Sequence, residues 1–353
     1  MNLGSALSIK VIFAIIVSYV LTLAIIYWIR PHAATFYLQD VPSGRKQHKA
    51  PTPVIGGIGV VIAFFLVALS FGYATFVHPA FWVAALFLFF VGLLDDMREF
   101  GSKIKFLAQA VAAIMMIFWG HVKLVDLGDL FGTGEVFLGV WGIPLTIFGV
   151  MGVVNAFNMI DGIDGLCGTQ SIVPIISFAI VFLLAGQMLS VIVLIILVSA
   201  IIGFLTLNIR LPKRTSALVF FGDAGTLFLG FVIAWFSIQI SGNNERIIHP
   251  AAVLWLLALP LFDTVAVMLR RFLRKSSPFK ADRTHIHHLL LDMGLDDALI
   301  VKLLFMVSAV FAAFGLIGVF VLHIPDSMLF YLFLLFFALY YFAKHCLFVS
   351  VHK

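Results

Sequence analysis

Charge is what this chain has least of. Asp, Glu, Lys and Arg make up only 11% of its 353 residues, against roughly a quarter in a soluble domain. With 63% of the residues apolar, an ordinary soluble globule is excluded. Cysteine is nearly absent: Cys167 and Cys346 are the only two. They cannot form a disulfide framework, and no Cys-x-x-Cys pair exists to begin a zinc site. Disorder is excluded in turn by the 38 phenylalanines. The formal net charge is +5. In a membrane protein such an excess marks cytoplasmic loops rather than a nucleic-acid surface, so no nucleic-acid partner is expected.

What the chain does have is long apolar sequence. A spanning helix needs roughly 20 apolar residues, and about eleven stretches are candidates. They run over residues 5–28, 54–77, 80–94, 104–120, 141–157, 169–184, 189–208, 224–240, 251–269, 299–322 and 328–343. No Asp, Glu, Lys or Arg occurs from Gly165 to Ile209. At about 1.5 Å per residue that stretch is too long for one crossing, so it folds back, with Ala185-Gly186-Gln187 as the expected turn. The first span lacks a small-x-small cleavage pattern and is followed by Arg30. A retained anchor is expected rather than a signal peptide. No internal repeat is visible. The fold class expected is a single all-α polytopic membrane domain over residues 1–353.

Sidedness follows from the basic residues. Of the 22 lysines and arginines, all but Lys10, Lys123 and Arg246 fall on loops or helix ends of one side. The positive-inside rule makes that side cytoplasmic. The amino terminus is then expected outside and the carboxyl terminus inside. Most of the 17 carboxylates share the cytoplasmic side, and their grouping is informative because charge near a membrane is costly.

Asp95-Asp96-Met97-Arg98-Glu99 lies at the inner end of the third span. Adjacent carboxylates repel unless a cation bridges them or water screens them. The run Asn155-Ala156-Phe157-Asn158-Met159-Ile160-Asp161-Gly162-Ile163-Asp164-Gly165-Leu166 is the most specific string. Its i,i+3 spacing puts Asp161 and Asp164 on one face if it is helical, and Asn155 and Asn158 likewise. Gly222-Asp223-Ala224-Gly225 precedes the eighth span. Asp223 suits either a helix cap or a Mg²⁺ ligand completed by phosphates.

Arg270-Arg271-Phe272-Leu273-Arg274-Lys275 is followed by Asp282-Arg283-Thr284-His285-Ile286-His287-His288. Arginine forks suit pyrophosphate, and three imidazoles beside them suit phosphate or sugar. The loop of residues 40–53 is basic and proline-rich, with Lys49 near its end. The glycines at 56, 57 and 59 suit a phosphate loop or close helix packing. Asp263 stands two turns before Arg270 and is read as its structural counter-charge. One face thus gathers cations for phosphate and acids for a metal, which suits phosphoryl transfer.

These strings together resemble the polyprenyl-phosphate N-acetylhexosamine-1-phosphate transferases, over nearly the whole chain. The resemblance rests on Asp95-Asp96, residues 155–166, Gly222-Asp223-Ala224-Gly225 and His285-Ile286-His287-His288. Ile286 interrupts the histidines, which sets the chain apart from the phospho-MurNAc-pentapeptide branch and aligns it with the GlcNAc branch. Ser277-Pro278-Phe279 and Arg45-Lys46-x-His48 point the same way. Thr226 stands where that family usually has Ser.

The resemblance implies transfer of GlcNAc-1-phosphate from UDP-GlcNAc to undecaprenyl phosphate, with Mg²⁺ or Mn²⁺, at the cytoplasmic face of a bacterial inner membrane. The product would begin a cell-surface polysaccharide such as O-antigen or common antigen. The resemblance further implies Asp223 as metal ligand with Asn158 assisting, and Asp95 and Asp96 on the lipid-phosphate side. Asp161 and Asp164 take catalytic or nucleotide-contacting roles. Asn155, Arg271, His285, His287 and His288 bind substrate, with Lys49 on the nucleotide side. Alternatives are another UDP-N-acetylhexosamine or UDP-MurNAc-pentapeptide as donor, and, from a different class, a cation transporter or lipid flippase. Transporters use repeats and midplane charges, whereas here no repeat is visible and only Asp263 could lie that deep. A homo-oligomer is compatible with the sequence.

Overall fold

Apolar runs of this length become helices because only a helix satisfies its own backbone groups inside hydrocarbon. The computed structural model describes residues 3–41, 51–210, 214, 216–242, 246–275 and 284–351. Lys49, with Arg45, Lys46 and His48, lies outside the described residues, as do Ser277-Pro278-Phe279 and Asp282-Arg283. Thirteen α-helices follow one another among the described residues. The first seven are α1 (Leu3–Ile29), α2 (Gly56–Ser70), α3 (Pro79–Arg98), α4 (Ser102–Phe118), α5 (Gly142–Met159), α6 (Leu166–Leu184) and α7 (Met188–Asn208). The rest are α8 (Gly222–Ser241), α9 (Pro250–Leu256), α10 (Ala258–Leu273), α11 (Ile286–Asp292), α12 (Asp297–Phe320) and α13 (Asp326–Val351). The one sheet among the described residues pairs β1 (Gln39–Asp40) with β2 (Thr52–Pro53), antiparallel.

Each expected apolar stretch contains helix, and α6 turns into α7 at residues 185–187 as anticipated. Eight described helices are long and apolar enough to cross a membrane: α1, α3, α5, α6, α7, α8, α12 and α13. Two of the eleven expected spans are shorter, since α2 has 15 residues and α4 has 17. Another, residues 251–269, is not one helix. It breaks at Leu257 into α9 and α10, bent by 87°. Pro260 gives the reason: it has no N–H for the Leu256 carbonyl, and it is tolerated only in the first turn of a new helix.

The centre of the bundle is α8, apolar on every face and almost wholly buried, as such a helix must be. It packs against α2, α3, α5 and α6. Small residues set the spacing. A side chain on Gly92 of α3 would overlap the Asp223 backbone, and one on Gly57 of α2 would overlap Gly225. The glycines at the start of α2 therefore serve helix packing, the plainer of the two expected uses. The segment entering α8 is also pinned to β2 and α2. Phe220 N–H donates to Pro53 O at 2.8 Å, and Phe220 O and Phe221 O accept from Gly56 and Gly57 N–H at 2.9 Å each. The start of α8 is thus fixed before any side chain acts.

Candidate active site

The C-terminal ends of α3, α5 and α7 and the N-terminal ends of α8 and α12 meet at one end of the bundle. An open cavity of about 690 Å³ lies between them. Asp95, Asp96, Asn158, Asp161, Asp164, Asp223 and His288 all line it. Acids from distant parts of the chain therefore converge on one cavity. Asn155, Arg271, His285 and His287 do not line the cavity.

Asp223, second residue of α8, is not that helix's cap. The cap comes from outside, from Asp96 of α3. Asp96 Oδ1 accepts the Asp223 N–H at 2.7 Å, and Oδ2 accepts the Ala224 N–H at 3.0 Å. A carboxylate there satisfies two orphan donors and the positive end of the helix dipole. Gly222 permits it: its φ is +79°, and a side chain would run into the Asp96 carboxylate. Capped this way, Asp223 turns its own carboxylate to the cavity. Oδ1 accepts from Asn158 Nδ2 at 2.5 Å, and Oδ2 from Lys105 Nζ at 2.7 Å. Lys105 also reaches Asp95 Oδ2 at 3.0 Å. Asn158 donates to Thr226 Oγ1 at 2.8 Å, so threonine supplies the hydroxyl at this position.

The sequence pairs Asp95 with Asp96 in one role; the structure gives them different partners. Replacing Asp96 with alanine is expected to cost about 0.5–2 kcal/mol of stability, the range for a lost helix cap. Asp96→Asn, which keeps one acceptor, should cost less. Denaturation of the purified protein in detergent measures both. Equal stability in Asp96→Ala and the parent would deny the capping role.

Asp161 and Asp164 do not share a helical face. The helix ends at Met159, and Gly165 with φ +86° starts the next one, so both acids lie in a turn. Asp164 Oδ2 accepts from Arg210 Nε at 2.6 Å and from Ala217 N–H at 3.3 Å. Arg210 continues to Asp297 Oδ2 at 2.8 Å, tying the turn to the start of α12. Asn208 holds the turn from the other side. Its Oδ1 accepts the Gly165 N–H at 2.6 Å while its Nδ2 donates to Val219 O at 2.8 Å. Asp161 has no hydrogen-bond or ion-pair partner among the described residues. Its carboxyl opens to the cavity but is recessed among protein atoms. That recess, then the charges of Asp223 and Asp164, raise its pKa to about 7.

Asn155 is a correction. Its amide donates to Gln109 Oε1 at 2.6 Å and to Met151 O at 2.7 Å, which joins α5 to α4 rather than facing a substrate. The i,i+3 spacing to Asn158 holds, but the two side chains have separate partners. The histidines also divide. Only His288 reaches the cavity. His287 is fully buried against Gly162, with both ring nitrogens unpartnered among the described residues. Burial first, then the His288 charge, lower its pKa to about 3, so it is neutral at pH 7. His285 Nδ1 lies 2.6 Å from Asp263 Oδ2. Arg271 is buried. The counter-charge of Asp263 is Lys344 of α13, not Arg270, whose guanidinium lies 3.3 Å from the centroid of the Phe348 ring.

Among the described residues no three His, Cys, Asp or Glu side chains could hold a metal ion by themselves. What the cavity offers is oxygen, from the carboxylates of Asp223 and Asp161 and the amide of Asn158. Such a donor set suits Mg²⁺ or Mn²⁺, which accept few protein ligands and leave positions for phosphate oxygens. Arg210, which lines the cavity, and Lys105, which bridges two acids of its wall, are visible in the sequence only as topology signals. Their pairing with acids 10 and 118 residues away for Lys105, and 46 for Arg210, leaves no local pattern to find.

Known proteins resemble this chain over most of its length. The profile of glycosyl transferase family 4 matches residues 78–241, which hold the turn and the acids of α3 and α8. An undecaprenyl-phosphate alpha-N-acetylglucosaminyl 1-phosphate transferase of Escherichia coli (strain K12) is 34% identical over 91% of this chain and 88% of its own. The protein of that name from Yersinia pestis is 36% identical over the same shares. That of Haemophilus influenzae is 35% identical over 89% of this chain and 88% of its own. Likeness of this extent places the chain in glycosyl transferase family 4 with these transferases.

Proposed function

We propose that the chain transfers GlcNAc-1-phosphate from UDP-GlcNAc to undecaprenyl phosphate, giving undecaprenyl-diphospho-GlcNAc and UMP. The observation that carries this reading is the convergence of Asp95, Asp161, Asp164 and Asp223 with His288 on one cavity at a helix-bundle end, with Lys105 bridging Asp95 and Asp223. The names of the relatives supply the substrate class. The lipid partner keeps its chain in the bilayer and presents its phosphate at this end. The basic-residue count makes this end the cytoplasmic side, where a sugar nucleotide is available.

In the reaction, an oxygen of the lipid phosphate attacks the phosphorus that bears the sugar. The bond from that phosphorus to the bridging oxygen breaks, and its electron pair leaves with UMP. The lipid phosphate is largely ionised at pH 7, so the protein need not supply a strong base. Positioning and charge neutralisation are its main tasks. Asp223 and Asn158 would hold Mg²⁺ or Mn²⁺, whose chemistry when bound is to neutralise the diphosphate and the departing UMP. Lys105 sits between Asp95 and Asp223, where an incoming phosphate meets a cation. His288, on the cavity wall, contacts the donor. Asp161, with its carboxyl unpaired, is free to change protonation or bind a ligand.

Membranes containing the chain should move radiolabelled sugar-phosphate from UDP-GlcNAc to undecaprenyl phosphate, and more slowly from UDP-GalNAc or UDP-MurNAc-pentapeptide. EDTA should abolish the transfer, and added Mg²⁺ or Mn²⁺ should restore it. Full activity in EDTA would remove the metal from the reading. Lipid flux without UDP-GlcNAc turnover would replace the enzyme by a transporter. UMP released stoichiometrically without lipid, with sugar-phosphate trapped on an aspartate, would replace direct attack by a covalent intermediate.

A further inference from the structure

Behind the cavity wall, a buried polar cluster centres on Asp263 of α10. Besides His285 Nδ1 on Oδ2, its Oδ1 accepts the Ile286 N–H at 2.9 Å, the Tyr340 hydroxyl at 2.8 Å and the Lys344 ammonium. The partners come from α11 and from α13, 77 and 81 residues away in the case of Tyr340 and Lys344. Tyr340, Lys344 and Phe348 recur every fourth residue, so they form one stripe on α13. Phe348 lies against the Arg270 guanidinium of α10, a cation–π contact. Most of the rest of α13 is exposed on the outside of the bundle. The stripe is therefore more than an anchor's apolar face.

A carboxylate this deep persists only when paired and fully hydrogen-bonded. Lys344 supplies the charge. An ionised carboxylate can only accept, so His285 must carry its hydrogen on Nδ1. Asp263 also takes the first N–H of α11, which has no side-chain cap of its own. From there a row of rings leads to the cavity. His285 stacks on His287 at 5.7 Å and 16°, and His287 lies 4.2 Å from His288, which lines the wall.

We propose that Asp263 is a positioning residue for the transfer reaction, and that Tyr340 and Lys344 make the last helix part of the same device. Together they hold the corner between α10 and α11, fix the His285 tautomer and set His288 at the cavity wall. The inference rests on the reading of His288 as a donor contact.

The test uses the full chain, with KM measured separately for UDP-GlcNAc and undecaprenyl phosphate. Asp263→Asn and Lys344→Met should each raise KM for UDP-GlcNAc about fivefold, the loss of one well-placed hydrogen bond. KM for undecaprenyl phosphate should not move. Lys344→Arg should recover most of the loss, because it keeps the charge and a donor. A role confined to folding lowers the amount of active protein, so kcat falls while both KM values stay; that result overturns the proposal. If Asp263→Asn does not fold, Tyr340→Phe removes a single hydroxyl and should still raise the same KM about twofold. An unmoved KM there also overturns it. His288→Ala is measured in parallel. Should it raise KM for UDP-GlcNAc while the Asp263 and Lys344 variants do not, positioning fails and the cavity reading stands. Should His288→Ala itself leave that KM unchanged, the donor contact fails and takes the positioning role with it.

Discussion

Changing Asp223 to asparagine is expected to cut sugar-phosphate transfer by about 10²–10³-fold while the bundle stays folded, the scale seen when one preorganised electrostatic group is removed. The expectation follows from where the carboxylate stands. It is presented at the N-terminus of α8, held there by the Asp96 cap, the Phe220–Phe221 backbone contacts and the close passage of Gly92. An amide of the same shape keeps an oxygen for Asn158, and Lys105 keeps Asp95. Packing is therefore preserved, and what is lost is one negative charge facing the cavity. If that charge holds a divalent ion, the variant should also need far more Mg²⁺ for half-maximal rate. Transfer assays over a Mg²⁺ series, with a melting curve to confirm folding, measure both effects. Activity within threefold of the parent would take Asp223 out of the reaction.

Much of this architecture can be read from local pattern. Apolar runs give the spans, and the charge-free interval from Gly165 to Ile209 gives the α6–α7 turn. Clustered acids give the cavity wall, because nothing but a shared task gathers them at one bundle end. What sequence spacing cannot show is which non-local group each side chain meets. Asp95 and Asp96 are neighbours in sequence, yet one binds Lys105 and the other caps a helix that begins 126 residues after it. Asn155 and Asn158 share a periodicity and have different partners. Asp263 has Arg270 within two turns, but its charge is met by Lys344 on the last helix. Two signals were readable. Pro260 marks the break that divides α9 from α10. Gly162 and Gly165, within and just after the Asp161–Asp164 string, speak against the continuous helix that a shared i,i+3 face requires. Lys105 and Arg210 are a different case. A basic residue at a loop satisfies the topology rule wherever it points, so its function becomes visible only with its acid partner.

Asp161→Asn should lower transfer by about 10²-fold or more, the low end for a residue that moves or holds a proton in the transition state. It should also change the shape of the pH profile. Crowding by protein atoms around the recessed cavity, then the nearby Asp223 and Asp164 charges, raise the pKa of Asp161 to about 7, above the ordinary carboxyl range. The sign is then fixed. Below about pH 7 Asp161 is neutral and cannot accept a proton or attract a cation, so the rate should fall on the acid side. Above it the carboxylate is available and the rate should level off. A divalent ion in the cavity adds positive charge beside the carboxylate and favours the ionised form. The acid limb should therefore move to lower pH as Mg²⁺ is raised. In Asp161→Asn nothing titrates at that position, so the residual activity should lack the limb. Rates from about pH 5.5 to about pH 8.5 at two Mg²⁺ concentrations test all three statements. An acid limb that persists unchanged in Asp161→Asn would assign it to another group, and Asp161 would then act only through its bulk in the turn.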